Sequence, residues 1–374
     1  MGAQPTLRPG AAPIAGAVPD PVGAESLRRV LVVKLRHHGD VLLSSPVFTV
    51  LARCSPGAEI DALVYADTRD MLAGHPAISR IHAIDREWKR QGLLLQARRE
   101  AALLAQLRER RYQLVVHLTD HWRGAWLTQL MRPRWSVAPA RGGWLWNACF
   151  SHRYARPKGT PRHAVELNLD ALRRLGMHPV EDEKRLVMVP GPEAEARVEA
   201  LLAEHGLAPK GFLHVHPTSR WLFKAWTDER NAELLQRLAR DGHRIALTGA
   251  PNAREQAIVR RILEHAGIAV ADLSGQLTLR EMAALAARAR LFVGVDSAPM
   301  HIAAAMGTPV VALFGPSGER EWGPWMVPHR VVESGHACRP CGNDGCGGGK
   351  VSECLTRLPV DRVHSAINEL LAQP

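Results

Sequence analysis

The stretch Arg290 to Pro316, RLFVGVDSAPMHIAAAMGTPVVALFGP, leaves few folds open to this chain. Its apolar run Leu291 to Val295 predicts a buried strand and Asp296-Ser297 a polar stop. Ala298 to Met306 predicts a short helix ended by Gly307, and Val310 to Phe314 a second buried strand. Strands joined through a helix in this way lie parallel, in a sheet covered on both faces. Asp296 or Ser297 is placed to cap the helix, and Pro299 sits in its first turn, where a missing N–H costs nothing. Free backbone N–H groups and the positive end of the helix dipole then face the carboxyl end of a strand. Open α/β sheets bind phosphorylated ligands there. Asp296, Ser297, Ala298 and His301 are the candidate contacts. The competing reading is an ordinary strand–helix turn with a structural cap; Asp, Ser and His gathered at one helix end favour a ligand site.

The same rhythm runs through the rest of the chain. Arg29 to Leu35 is a β-branched run of the buried parallel kind, followed by His37-His38-Gly39-Asp40 and a predicted helix from Val41 to Leu51. Gly39 permits a tight turn or close approach of a ligand. Asp40, at a helix N-terminus in the expected cleft, reads either as a plain cap or as a general base that takes a proton from a hydroxyl. Strands from Ile60 to Tyr65, Ile81 to Ile84 and Leu114 to Leu118, with helices around Leu93 to Glu109 and Glu166 to Gly176, complete one doubly wound unit. The charged, proline-bounded stretch from Glu181 to Pro192 marks a boundary, so the first domain is placed at residues 28–185 and the second at 186–358. In the second, strand Phe212 to His216, helix Asp228 to Arg240, strand Arg244 to Thr248 and helices Ala253 to His265 and Leu279 to Arg288 lead into the opening stretch. A chain of 374 residues exceeds one comfortable core, which agrees with two domains. Their carboxyl strand ends would face each other across a ligand-binding cleft.

Charge narrows the partners. Lys and Arg outnumber Asp and Glu by 48 to 37, and a net charge of +11 calls for nucleic acid, a membrane surface or a phosphorylated substrate. No RNP, KH or helix-turn-helix pattern supports nucleic acid. Between His121 and Arg162 stand five of the ten tryptophans and eight Arg or Lys, with no Asp or Glu. Rings interleaved with cations suit a sugar beside phosphates or a membrane interface, and equally suit residues that cover helices with a solvated basic rim. Residues 1–27, rich in Ala, Pro and Gly, are read as a disordered tail with neither the basic n-region nor the continuous apolar core of a secretory signal. No run approaches the roughly 18 apolar residues a membrane helix needs. A soluble or peripheral protein of the reducing cytoplasm is expected.

The loop His216 to Trp226 follows the first strand of the second domain. It offers hydroxyls at Thr218 and Ser219 and a cation at Lys224, a cradle for a pyrophosphate. Neither a P-loop nor a G-x-G-x-x-G motif is present, and no Asp-x-Asp pair offers to hold a divalent metal. The diphosphate charge would be met by Lys224, arginines and the helix terminus. Glu255 reads as an acceptor for ribose hydroxyls or as a solvated helix residue.

Four blocks together carry a resemblance: KLRHHGD, HPTSRWLFKAW, LSGQLTLREMAALAARARLFVGVDSAPMHIAAAMGTPVVALFGPS and CRPCGNDGCGGGKVSECL. In this order they resemble the lipopolysaccharide heptosyltransferases of glycosyltransferase family 9, with the nearest likeness to the heptosyltransferase III branch, over residues from about 28 to the end. The resemblance implies a GT-B fold: two Rossmann-like domains, the acceptor mainly on the first and ADP-heptose mainly on the second. It implies Asp40 as catalytic base and Lys224 on the donor phosphates, with Asp296, Ser297 and His301 in the D-[ST]-[GA]-x-x-H block. Thr218, Ser219 and Glu255 carry over through loops of variable length. Gly39, Trp122 and Arg123 become candidate acceptor contacts. ADP-heptose is the expected donor, no cofactor is required, and the acceptor is a heptose of the lipopolysaccharide core at the cytoplasmic face of the inner membrane. The alternatives are a family 9 transferase that uses another sugar or core position, and a non-catalytic protein that binds nucleotide or glycan.

Cys338-x2-Cys341-x4-Cys346-x7-Cys354 has the composition of a structural zinc site, but glycines 342, 345, 347, 348 and 349 suit packed thiols equally. Beyond it, Val360, Val363, Ile367, Leu370 and Leu371 form one face of a final helix. The resemblance implies that this helix, within residues 359–374, crosses back to the first domain.

Overall fold

The computed structural model describes residues 22–141, 143–155 and 161–373. Strands β1 (Arg29–Val33), β2 (Glu59–Tyr65), β3 (Arg80–Ile84), β4 (Leu114–His117), β5 (Trp135–Pro139) and β6 (His152–Tyr154) form one sheet in the order β3-β2-β1-β4-β5-β6. Strands β7 (Phe212–His216), β8 (Arg244–Leu247), β9 (Ala271–Asp272), β10 (Leu291–Val295), β11 (Val310–Leu313) and β12 (His329–Val332) form a second in the order β12-β11-β10-β7-β8-β9. Every pairing is parallel: Val30 stands beside Ile60 on one side and Leu114 on the other, and Phe292 beside Val310 and His214. Each sheet starts with its own first strand at the centre and reverses direction beside it, which puts a topological switch point in each. Two doubly wound sheets facing across a cleft give the expected GT-B arrangement.

The strands that flank those switch points are buried along almost their whole length because helices cover both faces. Val30 to Val33 and Leu291 to Val295 are buried. The two halves also share apolar surface. Met282, Ala283, Ile302 and Ala304 from the second half pack into the same cluster as Val30, Val41, Val47 and Phe48 from the first. Farther along, Trp325 stacks on His163 with ring centroids 4.2 Å apart, and its indole N–H donates to the Lys184 carbonyl over 2.7 Å.

Several expectations change. Of residues 1–27, positions 1–21 lie outside the described residues, but Val22 and Leu27 are buried in the first core, so order begins before residue 28. The helix expected from Val41 begins at His38 and breaks: His38–Leu42 and Ser45–Cys54 are separate, with Pro46 in the first turn of the second. The final helix Val360–Leu371 does not cross back. Its face of Val360, Val363, Ile367 and Leu370 fills the second core, against helix Asp228–Arg240 and strands β11 and β12. The apolar stripe of this helix, at 3.6-residue spacing, covers the strip those strands leave at that edge.

Candidate active site

A cleft of about 840 Å³ opens between the carboxyl ends of the two sheets. From the first half, the turn after β1 contributes His37, His38, Gly39 and Asp40; from the second come Ser219, Lys224, Glu255, Asp296, Ser297, Ala298 and His301. Residues separated by more than 250 positions in the chain thus meet because each follows the central strand of its sheet. Asp40 lies in the first turn of helix His38–Leu42, half-buried. Lys224 Nζ donates to Asp296 Oδ2 at 2.5 Å, with the carboxylate almost fully buried. Burial lowers the His301 imidazole to about 4, while Asp296 and Asp40 pull the other way, so it is neutral at physiological pH, and its buried Nδ1 has no partner among the described residues. A neutral ring keeps one donor and one acceptor available.

The halves touch at this point. A Cβ placed on Gly39 would lie 2.8 Å from His301 Cδ2, so only a bare Cα lets helix His38–Leu42 approach helix Ala298–Ala305 this closely. Gly39 thus owes its place to packing across the cleft, an account the turn alone did not supply.

Two expected roles are redistributed. Ser297 occupies the N-cap position, but its hydroxyl donates back to the Val295 carbonyl over 3.2 Å, and neither it nor Asp296 caps the helix. The first turn of Ala298–Ala305 therefore stays open toward the cleft. Thr218 is buried and its hydroxyl is spent on Glu255 Oε2 at 2.7 Å, so it supports the carboxylate instead of a phosphate. Ser219 does line the cleft.

Thr218 ends a buried polar chain whose direction follows from valence. Glu255 as a carboxylate only accepts, so Thr218 donates to it and must accept from His216 Nε2–H at 3.3 Å. Burial lowers His216 to about 4, which leaves its Nδ1 unprotonated to accept from Thr248 Oγ1–H at 2.9 Å. The Val215 carbonyl stands farther from that hydroxyl, at 3.5 Å. Thr248 in turn accepts from His214 Nε2–H at 2.8 Å. Asn252 Nδ2 and the Ala250 N–H also donate to Glu255, at 3.0 and 3.3 Å. The carboxylate is fixed on the cleft wall and acts as an acceptor there. Thr248→Val should strand one imidazole donor and one acceptor. It is expected to cost about 1–3 kcal/mol in denaturant titrations and to weaken nucleotide binding, whereas Thr248→Ser keeps both. A stable Val variant with unaltered nucleotide affinity would contradict the chain.

Sequence reasoning missed other cleft residues. Arg220 and Trp221 reach His37 of the first half, with Arg220 Nη1 3.5 Å from His37 Nδ1 and the Trp221 ring centroid 6.0 Å from that of His37. Arg254 adds a cation to the cleft, and Leu277, Leu279 and Met282 add apolar side chains to its lining. The signal for Arg254 was its place next to Glu255. The apolar lining had none, because Leu279 and Met282 stand in a segment whose pattern says only that it is a helix.

Trp122 and Arg123 do not line this cleft. Arg123 is held in an ion pair with Glu100, and Trp122 packs edge-on against Trp146, ring centroids 5.4 Å apart. The four clustered cysteines are free thiols, Cys338 and Cys346 exposed and Cys354 buried. Among the described residues no group of three or more His, Cys, Asp or Glu is disposed to hold a metal ion.

Comparison with known proteins decides the family. The sequence model described as "Glycosyltransferase family 9 (heptosyltransferase)" matches residues 100–351. The chain belongs to glycosyltransferase family 9. This family 9 transferase is 32% identical to the protein named lipopolysaccharide heptosyltransferase 3 of Escherichia coli, over 78% of this chain and 84% of that one. Its fold is shared by the glycosyltransferase of family 9 from Veillonella parvula, with a TM-score of 0.80, 22% identity and coverage of 94% and 99%. It is shared too by the E. coli heptosyltransferase WaaC with ADP-2-deoxy-2-fluoro heptose, with a TM-score of 0.69, 21% identity and coverage of 91% and 99%.

Proposed function

We propose that the chain transfers a heptose from ADP-L-glycero-β-D-manno-heptose, with inversion, to a heptose of the lipopolysaccharide inner core. The observation that carries this reading is the convergence of Asp40 with Lys224, Asp296 and His301 in one cleft. The likeness to a protein named lipopolysaccharide heptosyltransferase 3 supports the third core heptose as the one added.

In this reading the first half holds the acceptor and the second the donor. Leu277, Leu279 and Met282 face the adenine, and Glu255 accepts from the ribose hydroxyls. Lys224, Arg220 and the open turn at Ser297-Ala298 receive the diphosphate. The Asp40 carboxylate takes the proton of the acceptor hydroxyl, whose oxygen attacks the anomeric carbon from the face opposite the diphosphate. The C–O bond to ADP breaks through an oxocarbenium-like transition state, and negative charge grows on the departing phosphate oxygen. Lys224 and the helix terminus are aimed at that charge, where preorganised electrostatics count most. Neutral His301 donates or accepts one hydrogen bond beside the reacting groups. The enzyme would work at the cytoplasmic face of the inner membrane, where its lipid-borne acceptor is assembled.

Mass spectrometry tests the reading. A core acceptor with two heptoses, incubated with ADP-heptose, is expected to gain one heptose. No gain with that acceptor, but gain with a shorter core or with another nucleotide sugar, would move the assignment to a different family 9 reaction. ADP binding with no transfer in any combination would leave a binding protein.

A further inference from the structure

We infer that one outer face of the first half, made by the starts of helices Leu93–Glu109 and Trp122–Met131 and by helix Trp144–Ala148, docks on an anionic lipid bilayer. This deepens the reading above by naming the surface that meets the membrane, and it stands on observations of its own.

Leu93 and Leu94 are 86% and 89% exposed, Trp126 61%, Trp144 76% and Leu145 56%. Scattered single apolar residues on a surface need no explanation, but a joined group of large ones does. These are joined. Trp122 and Trp126 are one turn apart on the same helix face, with centroids 6.3 Å apart, and Trp122 packs against Trp146 on the helix that presents Trp144 and Leu145. The two longer helices run side by side in the same direction: Glu100 pairs with Arg123, and Arg108 donates to the Leu130 carbonyl. Leu93 and Leu94 therefore project beyond the start of the neighbouring helix. Both helices begin at the carboxyl edge of the sheet, the edge that carries Asp40.

The charge around this patch has one sign. Residues 86–100, 120–126 and 141–148, which form or flank these helix starts, contain seven Lys and Arg against three Asp and Glu. All three acids, Glu87, Glu100 and Asp120, are already paired, with Arg90, Arg123 and Arg36. Lys89 and Arg98 are exposed next to the leucines, and Arg141 lies over the Trp146 ring at 5.0 Å. Tryptophans and leucines that enter the headgroup layer, with cations above them for lipid phosphates, are the composition of an interfacial anchor. A protein partner of ordinary composition would leave this excess of cations unmatched. Among the described residues no helix is long and apolar enough to cross a membrane, so the contact is made on the surface.

Co-sedimentation with vesicles of phosphatidylethanolamine and phosphatidylglycerol, against vesicles of phosphatidylcholine alone, tests this without donor or acceptor present. Wild-type protein should bind the anionic vesicles and largely ignore the neutral ones. The double variants Leu93→Ser/Leu94→Ser and Trp126→Ser/Trp144→Ser should each lower the partition coefficient at least tenfold. Lys89→Glu/Arg98→Glu should weaken binding and flatten its salt dependence. All three should keep the wild-type melting temperature and unchanged transfer to a deacylated, lipid-free acceptor. Variants that bind like wild type, or wild type that binds no anionic vesicles, would overturn the inference. So would self-association abolished by the same changes in the absence of vesicle binding, which would assign the face to a second copy of the chain. Because vesicle binding is read separately from transfer, a failed transfer assay would count against the proposed reaction and leave this result standing.

Discussion

Asp40→Asn is expected to lower turnover by about 10²–10⁴-fold, the range of a lost general base, while the dissociation constant for ADP stays within about twofold. The amide keeps the shape of the carboxylate, and helix His38–Leu42 keeps its first turn. The loss therefore reports the missing proton acceptor. Asp40 also lies within electrostatic reach of His301, so the substitution removes one of the two charges that oppose the burial of that imidazole. Single-turnover transfer to the two-heptose acceptor, alongside ADP titration, separates these effects. Equal losses in turnover and in ADP affinity would sink the assignment of Asp40 as the base.

Lys224→Met should cost about 10²–10³-fold in kcat/KM for the nucleotide sugar, the effect of removing one donor aimed at developing charge. Unlike the first substitution, it should raise KM as well, since in the proposed reaction the ammonium meets the diphosphate before and during bond cleavage. It also leaves Asp296, 5% exposed, without its cation. Lys224→Arg should recover part of the activity by restoring the charge with a different reach. A loss of less than about threefold in Lys224→Met would show that the leaving group is stabilised elsewhere, with Arg220 and Arg254 next in line.

Both residues are legible in the sequence because they follow central strands, and central strands are the most readable parts of such a chain. Leu291–Val295 and Phe212–His216 match their expected bounds: the first, LFVGV, carries no polar side chain, and the second, FLHVH, alternates buried apolar residues with histidines that are also buried. Strands β5 and β6 are not readable in this way. Trp135–Pro139 ends in proline and His152–Tyr154 has three residues, and both fall in a span that composition set apart as aromatic and basic. The described residues of that span are ordinary sheet and helix: Trp146 is buried, with its indole N–H on the Pro139 carbonyl, while Trp122, Trp126 and Trp144 are exposed. Nothing in the spacing tells a structural tryptophan from an exposed one.

At the site, residue type was legible and hydrogen-bond direction was not. Thr218 and Ser297 each have a hydroxyl where a phosphate was expected, but one donates to a carboxylate and the other to a carbonyl. Which acceptor a hydroxyl finds depends on neighbours distant in sequence, here Glu255 for Thr218. The final helix failed as an expectation for a similar reason. Its apolar stripe says that it must be covered, and only the gap beside β11 and β12 says by what.

The apolar seam in which Met282, Ala283, Ile302 and Ala304 meet the first core has a thermodynamic consequence. Halves joined by a polar hinge melt one after the other, whereas halves that complete each other's interior lose their reason to fold together. Heating should therefore take this chain apart in one cooperative step, with calorimetric and van't Hoff enthalpies in agreement. Either half made by itself would show water the strip its partner normally covers, and would aggregate.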